Sequence, residues 1–133
     1  MIPVAALQWP HRRLWHAIGI LLIGAVVELS LTPHPLEIGV EHGDKYGHVL
    51  AYASLMFWYA QLYPRTGARI GFAIGFVAMA VGLEFLQRLT GYRTFEIADM
   101  VAGAIGVATG WIVAPPRSPC VIEQLEARWP FRR

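Results

Sequence analysis

Four apolar runs, each about as long as a bilayer core is thick, divide this sequence at residues 14–32, 45–63, 70–89 and 97–114. A helix rises ~1.5 Å per residue, so ~20 apolar residues reach across the hydrocarbon. Composition agrees. The apolar fraction is 56% and the charged fraction 15%, against ~45–50% and ~25% in soluble chains. The expectation is all-α: a single polytopic membrane domain over residues 1–133, built as a four-helix transmembrane bundle with both termini cytoplasmic and a tail over 115–133. A charged start before an apolar run also describes a signal peptide. Against that reading, Glu28 sits where the apolar core should end, and no small-residue cleavage pattern follows.

The boundaries have local causes. Pro33 and Pro35 stop the first run, and Pro115 and Pro116 the fourth, because proline lacks the donor that continues a helix. Residues 64–69 form a short turn. Asp44 is placed to cap the second helix by accepting a free backbone N–H. Trp58, Tyr59 and Tyr63 would anchor its far end at an interface. Gly71 with Gly75, and Ala78 with Gly82, form small steps on the third helix. Gly103, Gly106 and Gly110 make the fourth small-rich. Such steps let helix backbones approach where lipid supplies no hydrophobic drive. In the tail, Val121, Ile122, Leu125 and Trp129 share one helical face. Glu123, Glu126 and Arg128 lie elsewhere, as in an interfacial amphipathic helix.

Lys and Arg set the orientation. With four crossings, Arg12, Arg13, Arg65, Arg69, Arg117, Arg128, Arg132 and Arg133 share one side, against Lys45, Arg88 and Arg93 on the other. Eight against three places the termini in the cytoplasm. Cys120 is the only cysteine; it falls on the reducing side, where an unpaired thiol is expected.

Polar residues then collect toward the outer surface. Asp44, His48 and Tyr52, at i, i+4 and i+8, share a helix face. Glu84 shares one with Gln87 and Arg88. Arg93, Glu96 and Asp99 surround the entry to the fourth helix. Ionisable groups inside a membrane are expensive and mark function by default. The candidate cluster is therefore Asp44, Lys45, His48, Tyr52, Glu84, Gln87, Arg93 and Asp99. Each has a bland reading too. Arg88 would snorkel outward, Glu96 and Asp99 would favour a helix N-terminus, and Glu84 would pair with Arg93 or Lys45. His42, Asp44 and His48 offer metal-ligating atoms, but their spacing matches no strong signature. No metal and no cofactor is expected.

The segment DKYGHVLAY, followed by GLEFLQRLTGYRTFEIADMVAGAIG, resembles the VanZ-like family of bacterial membrane proteins. Asp44, Lys45, His48, Tyr52, Glu84, Gln87, Arg93, Asp99 and Gly106 match the family pattern in order, over roughly residues 44–110. Gly103 stands where the family usually has Asn. The resemblance implies an envelope role, related to resistance to the glycopeptide teicoplanin, in the bacterial cytoplasmic (inner) membrane.

Function classes follow from the residues. A net charge of +2 and the lack of a basic, aromatic-interleaved stripe speak against nucleic acid. Nothing matches a nucleophile motif. The partners expected are the lipid bilayer, an anionic lipid or cell-wall precursor held at the outer leaflet, and a homo-oligomer. Binding or modifying such a ligand is the first expectation. The alternatives are a membrane-embedded acid/base enzyme, with Lys45, Arg88 and Arg93 holding phosphate, and a structural subunit of an envelope complex. A transporter would need polar groups in both halves, and the inner half reads as nearly bare of them.

Overall fold

The computed structural model describes residues 9–33 and 39–129, and every regular element among them is helical. The elements are α1 (Arg12–Leu31), α2 (Gly43–Leu62), α3 (Thr66–Thr90), α4 (Ile97–Val113) and α5 (Val121–Arg128). The first four match the four apolar runs to within a few residues. Pro35, to which the sequence reading gave a helix stop, and Arg132 and Arg133, placed on one face, lie outside the described residues.

The helix ends obey the expected chemistry. Thr32 is extended ahead of Pro33, and Ala114 ahead of Pro115, since a residue before proline is pushed out of the α region. Gly91 closes α3 at φ 75°, a left-handed position that glycine takes without a Cβ clash. The start of α2 differs from expectation. Its cap position is His42, left-handed at φ 58°, and Asp44 lies in the first turn, two residues further on, without capping. The Asp44 carboxylate turns to the Lys45 ammonium instead, 2.6 Å away.

Helix α2 is the centre of the bundle. It packs on α1, α3, α4 and α5, and Tyr52, Leu55, Met56 and Ala60 are shut away from solvent. Its closest neighbour is α4, and glycine explains the approach. A Cβ on Gly106 would stand 2.5 Å from the Val49 carbonyl oxygen, and one on Gly110 would strike that of Ala53. At Gly103 a Cβ would fall 2.8 Å from that of Ala80 on α3. An asparagine there would not fit this backbone. The steps on α3 behave differently: Gly71, Gly75 and Gly82 face open space. They point away from the bundle, and α3 packs through Phe76, Ala80 and Leu83. At one end of the core, Tyr59 and Tyr63 pack on Phe72, with ring centroids 4.7 and 4.8 Å apart.

Two helices, α1 and α3, are long and apolar enough to cross a membrane, with mean hydropathy 2.0 and 1.8. Helix α4 is apolar but spans 17 residues. Helix α2 has 20 residues but carries Asp44, Lys45, His48 and Gln61. Much of α1 is uncovered: Ile20 is 66% and Leu21 72% exposed. An apolar helix left bare is at home in hydrocarbon rather than water.

The tail departs from its expected face. Helix α5 turns Ile122 and Glu126 inward, while Val121 and Leu125 are exposed. Glu126 accepts the Trp15 indole N–H at 2.6 Å and the His11 backbone N–H at 3.1 Å. Those donors make burial of a carboxylate tolerable. Gln61 Oε1 accepts the Val121 N–H at 2.8 Å and the Ile122 N–H at 3.3 Å, so a side chain from α2 caps α5. The start of α1 and the whole of α5 thus lie at the same end of the bundle. That end is not bare of polar groups. Arg69 is buried there and donates to the carbonyls of Ala60 and Pro115 at 2.8 and 2.6 Å, stapling the ends of α2 and α4 with its charge against helix C-termini.

Candidate functional site

At the opposite end, α2, α3, α4 and the α3–α4 turn bring the predicted cluster together. Lys45 is its hub. Its ammonium donates to Asp44 Oδ2 at 2.6 Å, Glu96 Oε2 at 2.7 Å and Asp99 Oδ1 at 3.0 Å. Asp99 is buried, whereas Asp44 and Glu96 are about half exposed. One cation thus holds three carboxylates from two helices and a turn. Lys45 points toward α4 because it lies one residue from the face shared by Asp44, His48 and Tyr52.

Glu84 pairs with neither Lys45 nor Arg93. Its side chain is 1% exposed, and Oε1 accepts the Glu96 backbone N–H at 2.6 Å. That N–H stands at the cap of α4, so Glu84 links α3 to the start of α4. The expected ion pair fails because both cations have other acceptors. Those of Arg93 are on α1: its Nη1 reaches Ser30 O at 3.0 Å and Leu29 O at 3.3 Å. Gln87 also donates to Ser30 O, and Tyr92 Oη to Leu31 O, each at 2.6 Å. The last carbonyls of a helix have no partner of their own. Here the end of α3 and the following turn supply one. Arg88 lies over the Phe95 ring, 5.8 Å from its centroid.

His48 Nδ1 lies 2.9 Å from the Asp44 carbonyl oxygen. A carbonyl only accepts, so Nδ1 carries the hydrogen of this contact. A ring nitrogen of His48 and carboxylate oxygens of Glu84 and Asp99 lie within 4.8 Å of one another. The set weighed from sequence, His42 with Asp44 and His48, is not what converges. His42 is exposed beside Glu41, 3.7 Å away, on the loop side of the helix start.

A cavity of ≈ 760 Å³ opens between α1 and α2 beside this cluster. Leu22, Val26 and Leu29 form its apolar wall, and Asp44, His48, Tyr52 and Arg93 its polar end. Asp44, His48 and Tyr52 do line one face, as their spacing predicted. Tyr52 also sets its ring against Gly103 and its Cβ against Gly106.

Sequence reasoning did not assign Ser30, Tyr92, Gln61 or Trp15 a place in these networks. Their partners lie 57 to 111 residues away along the chain, and no local spacing signals such a meeting. Comparison with protein-family models, curated proteins and solved structures gives no match. The site is therefore read from its own chemistry.

Proposed function

We propose that this chain is a VanZ-like multi-pass protein of the bacterial inner membrane that binds an anionic amphiphile, a lipid or lipid-linked envelope precursor, from the outer leaflet. The observation that carries this reading is the cavity between α1 and α2, apolar along its wall and ending at Arg93. Arg93 Nη1 is held by α1 carbonyls. Among the described residues no carboxylate pairs with its guanidinium. A guanidinium with donors to spare is suited to phosphate or carboxylate. Lys45, by contrast, is consumed by three carboxylates and holds no ligand. In this reading α1 to α4 all cross the bilayer, the polar end of α2 facing the ligand and that of α4 facing Lys45. The meeting of His48, Glu84 and Asp99 favours a second reading, acid/base modification of the bound head group.

Mass spectrometry of the detergent-purified chain tests the first reading. An anionic lipid should be retained by the wild type. Ala25→Trp, which places a large ring in the cavity, and Arg93→Gln should each lose most of it. Equal retention by both variants would leave the cavity without a ligand.

A further inference from the structure

His48, Glu84 and Asp99 come from three different helices, and their ligating atoms converge within 4.8 Å. Points no farther apart than 4.8 Å lie within about 2.8 Å of a common centre (4.8 Å divided by √3); this approaches metal-ligand length, since zinc bonds to His N and carboxylate O run ~2.0–2.2 Å. Two further observations bear on this group. Glu84 and Asp99 are 1% and 5% exposed, yet among the described residues Glu84 Oε2 and Asp99 Oδ2 accept no hydrogen bond. The His48 ring is fixed by its Nδ1 contact to a backbone carbonyl. A backbone acceptor on one ring nitrogen, with the other left to the metal, is the arrangement that orients metal-bound histidines.

Charge points the same way. Asp44, Glu84, Glu96 and Asp99 gather four carboxyl groups around a single ammonium, that of Lys45, while Arg93 is held by α1 carbonyls. The neighbouring group of Asp44, Glu96 and Asp99 already has its cation, the Lys45 ammonium. The group of His48, Glu84 and Asp99 touches that cation only through Asp99, and Glu84 pairs with no cation among the described residues.

We propose that His48, Glu84 and Asp99 form a binding site for one divalent transition cation, with Zn²⁺ as the first candidate. Mixed imidazole and carboxylate donors suit zinc or manganese better than calcium, which takes oxygen ligands alone. Three protein ligands leave a coordination position open, and His48 borders the cavity. The site stands on this geometry and does not depend on which ligand the cavity takes.

The test is zinc titration of the full chain in detergent after chelator treatment, with metal content read by mass spectrometry. Wild type should take up one Zn²⁺, and His48→Ala and Glu84→Gln should each weaken binding at least tenfold. His42→Ala, at an exposed histidine outside the group, should bind as wild type does. Glu84→Gln keeps an oxygen for the Glu96 N–H, which favours a folded variant. Asp99→Asn provides a second should helix content or the elution profile change. Co²⁺ should give ligand-field absorption that His48→Ala abolishes. No uptake by wild type, or equal uptake by the folded variants, overturns the site.

Discussion

A single methyl group separates the two kinds of glycine in this chain. At Gly106 it would press on the α2 backbone, while at Gly75 it would meet nothing within 4 Å. Both looked alike in sequence, and Gly75 was expected at a contact. Gly106→Ala should lower stability by about 1–3 kcal/mol, the usual range for overpacking, whereas Gly75→Ala should be neutral or slightly favourable, as helix propensity alone predicts. Thermal unfolding in detergent followed by circular dichroism measures both. An equal effect of the two would mean that α4 does not lie on α2 as described. Glu126 permits a pH prediction. Burial pushes its carboxyl up, but hydrogen bonds from His11 and Trp15 outweigh that and hold it below its usual 4.5. A lowered carboxylate pKa adds stability that is complete above the unfolded value and lost as pH falls through the folded one. Docking of α5 should thus hold near neutrality and weaken below about pH 4.5. Tryptophan fluorescence reports it through Trp15, and Glu126→Gln should flatten the profile.

Among the elements, α5 is the one whose fate depends most on a distant side chain. Eight residues make a helix too short to persist alone in water. It is held by Ile122 against Trp15 and Leu62, by Glu126, and by the Gln61 cap. Gln61→Leu removes the acceptor of two N–H groups at the start of α5. It should cost about 1–2 kcal/mol, as loss of a helix cap does. Hydrogen exchange should show the α5 amides losing protection while those of α2 keep it. Unchanged protection in α5 would mean that Ile122 and Glu126 suffice. The α3–α4 turn plays the matching part at the other end, where Tyr92 and Arg93 close the last carbonyls of α1.

Across the whole molecule, the start of α1 and all of α5 share one end, and the Lys45 cluster occupies the other. If all four long helices cross the bilayer with that first end inside, a cysteine at Glu123 should be cytoplasmic and one at Glu41 external. Both positions are exposed, unlike Cys120, which is half-buried and whose thiol burial makes less acidic. The pair is best placed in a Cys120→Ser background. A membrane-impermeant thiol reagent should label Glu41→Cys in intact cells and Glu123→Cys only after permeabilisation. The reverse pattern would invert the topology, and labelling of both in intact cells would remove the crossing between them.

The sequence by itself determined where the helices run and why they stop, because length, hydropathy, proline and glycine act locally. It also determined that polar residues gather between the apolar runs, since each acidic or basic position there is conspicuous. Tertiary structure decided how each helix is turned about its axis. Helices as uniformly apolar as α1 and α3 carry little signal of which face meets a neighbour. That rotation chose Gly106 over Gly75, sent Glu126 inward, and gave Lys45 to Asp44, Glu96 and Asp99 instead of Glu84. It also set His48 beside Glu84 and Asp99, a meeting of three helices that residue spacing along one chain cannot encode.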